Sequence, residues 1–390
     1  MAGFLWGKIT MSKQTLLIGT RKGAWTFSRN SLSDPWKVQG PWHLGAVVSH
    51  YVADPRHPGK RLMSVGSGHL GPSVFISNDG GHSWQEAARP PAFSKVATEE
   101  GERSVDHVFW LTPGHASTPQ VWYAGTSPQG LFRSNDGGNH WEEVKGFNHH
   151  PDFFQWRGSD KDGTPDGPKL HSVIVDPSNP QHLLVAMSGG GIFESFDEGQ
   201  TWSALNKGVA MDFYPPKDDG SEYEFGHDPH CLVMHPLHNQ RLYHQNHCGL
   251  YRLDRDQSDV WQRIGDNLPR EVGDIGFPIV VHPHNPDCIW VFPMDGSGQW
   301  PRTSPDGKPA VFCSRDGGVS FIRQDRGFPA EQAWWTVKRQ CMAVTGTHRA
   351  SVFLGNTQGQ IWGSDDEGES WQCLASHLPQ IYALEVVEES

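Results

Sequence analysis

Apolar residues in this chain come in short runs, cut every few positions by glycine, proline, asparagine or aspartate. The stretch LHSVIVDPSNPQHLLVAMSGGGIFESFDEGQTWSAL shows the pattern best. It predicts a strand over His171–Val175, a proline-rich turn, a second strand over His182–Met187 and a glycine turn. A third strand over Gly191–Ser195 runs into a polar turn, and a fourth starts at Trp202. No long segment carries the 3.6-residue period of an amphipathic helix, so the pattern predicts an all-β protein.

The polar turn of that unit recurs. SNDGGHSW, SNDGGNHW, SFDEGQTW, SRDGGVSF and SDDEGESW end at Trp84, Trp141, Trp202, Phe321 and Trp371. Weaker copies end at Trp36 and Trp261. The seven anchors stand 48 to 61 residues apart, and four strands per unit of this length is one propeller blade. Seven units predict a seven-bladed β-propeller. The first unit starts at TLLIGT and lacks its first strand, while IYALEVV (Ile381–Val387) is a strand without a unit. Ile381–Val387 is therefore expected to pair in blade one and close the ring, with residues 14–390 as one domain and 1–13 as an extension.

Composition narrows the functional classes. Gly (44), Pro (29) and Trp (17) are plentiful in 390 residues and charged residues are only 19%, which suits short strands and tight turns. A net charge of −12 without basic clusters argues against nucleic-acid binding. No run of about 18 apolar residues predicts a membrane span. The apolar stretch in MAGFLWGKITMSKQ is too short for a signal peptide, and Met11 is a second candidate start beside Met1. Six cysteines without paired spacing predict reduced thiols and a cytoplasmic location.

The repeated Ser-x-Asp-x-Gly-x-Ser/Thr-Trp phrase resembles the Asp-box, or BNR repeat, of sialidases, two-propeller xyloglucanases, sortilin-type receptors and photosystem assembly factors. GTRKGAW, SGHLGP, QNHCGLYR and FPIVVHPHNP extend the resemblance to bacterial BNR-repeat proteins of the sialidase-like superfamily. The box itself reads as structural. Asp79, Asp136, Asp197, Asp316 and Asp366 are suited to accept turn N–H groups, and a ring spreads them too far apart to form one site.

The boxes and the proline-rich turns share one face of the ring. The turns between second and third strands share the other, where the axial mouth is the expected site. Histidines are numerous, 22 in all. His57, His235, His238, His282 and His284 fall in the proline-rich turns and read as surface residues. His107, His171 and His230 each stand six residues before the proline that ends an innermost strand, which predicts equivalent places in neighbouring blades. His50 is one residue off that register. His69 and His247 fall in turns on the axial face. Imidazoles converging there would suit Zn, Cu or Fe, and such an ion would supply an activated water; a solvated polar channel is the alternative. Cys231 and Cys248 should point the other way, since neighbours in a strand alternate.

Long loops at 147–168, 207–228 and Asp295–Ala310 carry aromatic residues, among them Trp156 and Trp300, beside carboxylates, as a sugar site would. The sialidase resemblance implies an arginine triad and a tyrosine nucleophile. Arg21, Arg339 and Tyr382 stand at suitable positions, but Arg103, Arg157, Arg270 and Arg302 compete for the third arginine. Asp106, Asp228 and Asp274 precede innermost strands and are the carboxylates a glycosidase would draw on. The sequence therefore points to a small-molecule site at the axial mouth. His50, His69, His107, His171, His230 and His247 are its candidate ligands for a metal. Arg21, Lys22, Trp156, Asn246, Trp300, Arg339 and Tyr382 are its candidate contacts to a sugar-like or anionic substrate. Metal-dependent hydrolysis is the leading expectation, ahead of redox chemistry. A metal-free exo-glycosidase, or a non-catalytic scaffold with a protein partner, are the alternatives.

Overall fold

A computed structural model describes residues 13–68, 71–95, 103–157, 167–212, 214–296 and 302–389. Within them lie seven antiparallel four-stranded sheets. In six of them the strands follow chain order from the inside outward. In blade one the order is Ile381–Glu389, Lys13–Thr20, Gly23–Arg29 and Lys37–Trp42. The innermost strands of blades two to seven are Val47–Ala53, His107–Pro113, Leu170–Val175, Pro229–His235, Gly276–Val281 and Met342–Val344. Each packs on the innermost strand of the next blade, and the strand of blade seven packs on Ile381–Glu389, so the ring is closed.

Strand alternation builds the core between blades. In Leu183–Met187, Leu183, Val185 and Met187 pack with Tyr123, Leu131 and Trp202 on the blade-three side. Leu184 and Ala186 pack with Leu232, Leu242 and Trp261 on the blade-five side. A strand buried on both faces has no polar side to show, which is why it reads as a continuous apolar run.

The repeated turns repeat in atomic detail. Asp79 Oδ1 accepts from the Ser77 hydroxyl at 2.7 Å and from the His82 and Ser83 N–H groups at 2.9 Å, while Oδ2 accepts from the Ser83 hydroxyl at 2.6 Å. Asp197, Asp316 and Asp366 accept from their Ser or Thr partners in the same way. In the second copy the His140 imidazole takes the hydroxyl's place at Asp136. These donors hold the Asp79 carboxyl far below the usual carboxylate range. Gly138 adopts a left-handed backbone (φ 97°), which glycine takes without strain, and the preceding blade leaves no space for a side chain there: a Cβ would lie 2.7 Å from Leu62. Each Asp carboxylate thus bonds groups of its own turn, and these turns join third to fourth strands, at the opposite end of the blade from the turns between second and third strands.

Closure rests on one long pairing. Lys13 to Thr20 runs against Glu389 to Ile381, and Ile381, Ala383 and Leu384 are buried. Ending the chain after residue 378 is expected to abolish the cooperative thermal transition, since Ile381 and Leu384 alone contribute about 3–6 kcal/mol of burial. A truncated protein that stays monomeric and melts cooperatively would contradict this closure.

Candidate functional site

Most innermost strands carry a β-bulge near the axial end. Pairing skips Ser49 in blade two, Phe109 in blade three and His230 in blade five. It is irregular at 172–173 in blade four and 277–278 in blade six. A bulge adds one residue and re-aims the side chains around it. Counting back from proline therefore does not give equivalent places. His107 lies two residues before the bulge, His171 directly before it, His230 in it and His50 directly after it. The expected equivalence of His107, His171 and His230 is corrected on this ground.

Their surroundings differ accordingly. His50 is buried on the Trp110 ring; its Nδ1 accepts from the Leu111 N–H at 2.9 Å and its Nε2 donates to Glu385 at 3.2 Å. His171 is fully buried. Its Nε2 donates to the Pro229 carbonyl at 2.9 Å and its Nδ1 accepts from the Ser172 hydroxyl, which itself accepts from the Leu232 N–H. Burial, and then the charge of Arg339, push the His171 pKa well down, so the ring is neutral. Both nitrogens of His50 and of His171 are taken, and these two rings tie neighbouring blades together instead of offering lone pairs to an ion. His107 bonds the exposed Asp106 at 2.8 Å. His69 lies outside the described residues.

Among the described residues, two of these histidines meet, and they meet at Asp228. The turn Asn246–Gly249 is tied down by the His247 N–H donating to the Asp228 carbonyl at 2.9 Å. That contact sets the His247 ring T-shaped to His230, with centroids 5.6 Å apart. Asp228 Oδ2 stands 3.5 Å from His230 Nε2 and 3.7 Å from His247 Nδ1. One ligand atom from each of the three residues lies within 4.8 Å of the others. Asp228 Oδ1 is buried with no hydrogen-bond partner among the described residues.

The tautomer of His230 is decided by geometry. Its Nδ1 is 2.6 Å from the Gly276 carbonyl, which only accepts, so Nδ1 carries the proton. In the neutral ring Nε2 is then a lone pair facing a carboxylate. A proton or a metal ion between two such acceptors would relieve their repulsion. Burial opposes ionisation of Asp228, but the positive groups around it, Arg339 among them, outweigh it and hold the carboxyl below its ordinary range. Burial, and then the His230 charge, lower the His247 pKa, which favours the neutral imidazole.

One arginine touches this cluster and a second stands against Phe277. Arg302, 5% exposed, places Nη2 3.5 Å from His247 Nε2 and donates from Nη1 to the Asp295 carbonyl. Arg339, from the segment before blade seven, lies over the Phe277 ring at 5.4 Å, and its charge acts on His171, Asp228 and His247. The next residue, Gln340, reaches the opposite side of the axis, donating to the Ser49 carbonyl at 2.7 Å and the Phe109 carbonyl at 3.2 Å.

Other expected contacts lie elsewhere. Trp156 is 5% exposed and stacked on Phe193 at 4.3 Å, part of the core between blades three and four and not a platform for a ligand. Asn246 is buried and shapes its turn, Oδ1 accepting from the Cys248 N–H. Arg21 and Lys22 are exposed in the blade-one turn. Tyr382 packs its ring under the Lys338 ammonium at 4.0 Å. Trp300 lies outside the described residues. His238 and His284 are exposed turn residues and His57 is half-buried, but His235 and His282 are buried, against expectation. Cys231 turns into the core between blades five and six, as alternation requires, and burial raises its pKa to about 11.

Asp228 was marked by sequence only as a glycosidase carboxylate, and Arg302 only as one of several arginines. The Asp-Pro-His spacing of 228–230 was the available signal for the first. Arg302 reaches the site through a long insertion, and nothing local marks it.

No family model matches the chain. Among curated proteins it is 22% identical over 363 residues to a probable oligoxyloglucan-reducing end-specific xyloglucanase of Neosartorya fischeri, covering 85% of this chain and 40% of that protein. It is 23% identical over 333 residues to a xyloglucanase of Paenibacillus sp, covering 78% of this chain and 28% of that one. Among solved structures, the GH74 xyloglucanase of Xanthomonas campestris superposes with a TM-score of 0.64 at 16% identity, over 93% of this chain and 52% of that one. YCF48 from Cyanidioschyzon merolae superposes with a TM-score of 0.53 at 16% identity, over 88% and 90%. The shared fold is the seven-bladed β-propeller. The chain spans less than half the length of the curated relatives it matches.

His171→Ala should lower stability by about 2–4 kcal/mol, through a lost buried ring and an undonated Pro229 carbonyl. Chemical denaturation reads this directly, and an unchanged midpoint would contradict a structural role for His171.

Proposed function

We propose that Asp228, His230 and His247 hold a divalent transition metal at the axial mouth, and that the protein is a metal-dependent hydrolase of a small polar substrate. The spacing of the three residues carries this reading. A charge-assisted N–H···O bond would draw His230 and Asp228 to about 2.8 Å. Two ligands on one tetrahedral ion, each at about 2.0–2.1 Å, stand about 3.4 Å apart. The separations of 3.5 and 3.7 Å match the second arrangement. Two imidazoles and a carboxylate suit zinc or iron and leave coordination positions open. The Gly276 carbonyl is the outer partner that orients a metal-ligating histidine.

Bound there, a zinc ion would supply Lewis acidity and a water activated near neutral pH. The chain's own residues keep His230 in the ligating tautomer, keep His247 neutral and keep Asp228 ionised. The xyloglucanase relatives support a sugar-like substrate for this site. They also favour a second reading, a glycosidase without metal, which would need two facing carboxyl groups about 5–9.5 Å apart.

Protein purified without a histidine tag should carry near-stoichiometric metal by elemental analysis. His247→Ala and Asp228→Asn should lose it, and His107→Ala should keep it. Turnover of aryl glycosides or esters should stop on chelation and return with zinc. Metal-free wild type, or equal metal in His247→Ala, would refute the metal centre. Glycoside turnover that resists chelators would support the second reading.

A further inference from the structure

A long loop ends at Asp228 and encloses a cavity of its own. It runs from the outer strand of blade four to the innermost strand of blade five, and its described residues form no helix or strand. A loop of this length is slack unless it is tied down. At its base, Asn206 donates to the Glu224 carbonyl at 2.8 Å, the Ala210 N–H donates to the Tyr251 hydroxyl at 3.1 Å and His227 donates to the Tyr223 carbonyl at 2.9 Å. Between its arms, Glu222 accepts from the Gly208 N–H at 2.8 Å, Lys217 donates to the Glu222 carbonyl at 2.9 Å and Tyr223 donates to the Pro215 carbonyl at 2.7 Å. The space left between the arms is a cavity of about 330 Å³, with Val209, Met211, Tyr214, Lys217, Glu222 and Tyr223 in its lining. That volume falls at the lower end of the ~300–1,000 Å³ range of small-molecule sites, and a cavity framed by the loop's own bonds is formed before any ligand arrives.

The lining selects the chemistry of its occupant. Tyr214 and Tyr223 set their rings 5.7 Å apart at 32°, and Tyr214 is 51% exposed, so aromatic surface lies beside the Lys217 ammonium and the Glu222 carboxylate. A cation is disfavoured, because Lys217 already stands over the Tyr223 ring at 4.9 Å. An anion is disfavoured, because this stretch carries Asp212, Asp218, Asp219, Glu222 and Glu224 against Lys207 and Lys217. A wholly apolar molecule would strip water from Lys217 and Glu222 and return no hydrogen bond. A neutral molecule with an apolar face and a rim of hydroxyls is the class that remains. We propose that this cavity binds a saccharide, its C–H face on Tyr214 and its hydroxyls bonded to Lys217 and Glu222. The lining does not include Asp228, His230 or His247, so this is a second site, independent of the metal centre.

NMR of protein labelled at its methionine methyl groups tests this, since the chain has 8 methionines and Met211 lines the cavity. Met211→Leu assigns the Met211 signal. Millimolar cellobiose or xylobiose should move that signal saturably, while choline and succinate at equal ionic strength should not. Tyr214→Ala should weaken sugar binding by about tenfold and Lys217→Ala by about threefold. Both side chains are exposed, and thermal melts check that the variants fold. His247→Ala should leave the Met211 response as it is. No movement of the Met211 signal with either sugar, or movement with choline or succinate instead, would overturn the proposal. A sugar response confined to other methionines and lost in His247→Ala would overturn it as well, while favouring the Asp228 cluster as the sugar site, so the two claims fail separately.

Discussion

Everything at the axial mouth depends on the pairing of the last strand with the first. Seven sheets, each apolar on both faces, bury those faces only if every sheet has a neighbour on each side. Residues 381–389 complete blade one from inside, remove the open edge of Lys13–Thr20 and hold blade seven against blade two. With the ring closed, seven innermost strands stand around one axis, and groups distant in sequence become neighbours. Gln340 bonding Ser49 and Phe109, and Glu385 bonding His50, are contacts that only a closed ring permits.

Crowding at the axis creates a problem of polar burial. The bulges in the innermost strands leave N–H and C=O groups without ladder partners, and water is excluded from much of this region. Side chains supply what the ladder does not. His50 accepts the Leu111 N–H, Ser172 accepts the Leu232 N–H, and His171 and His230 donate to carbonyls of the next blade. His50 and His171 are thus accounted for by backbone satisfaction. His230 is different because satisfying Gly276 with one nitrogen turns the other toward a carboxylate. The same structural device, used beside Asp228 and His247, produces a cluster of acceptors that wants a cation.

The fold was legible because its signals are local. The Trp202 and Trp371 boxes repeat a turn chemistry that is confined to about eight residues, and the unpartnered strand at Ile381 announces closure. The candidate site was legible only in part. His230 and His247 were found by their placement on the axial face, and Arg339 by its position before an innermost strand. The equivalence of His107, His171 and His230 failed because a bulge shifts register by one residue and leaves no trace in hydrophobic pattern. Trp156 was misplaced because an aromatic residue in a long loop looks the same whether it covers a ligand or a core. Arg302 was not separable from other arginines, since what marks it is a contact with His247 across 55 residues of chain.

We propose a metal ion, and not a proton, between His230 and Asp228. Crystallography with anomalous scattering measured above and below the zinc absorption edge separates the two most directly. The account predicts a peak about 2.0–2.1 Å from His230 Nε2, shared with His247 and Asp228. A well-ordered site without anomalous signal, in which His230 and Asp228 close to hydrogen-bonding distance, would contradict it.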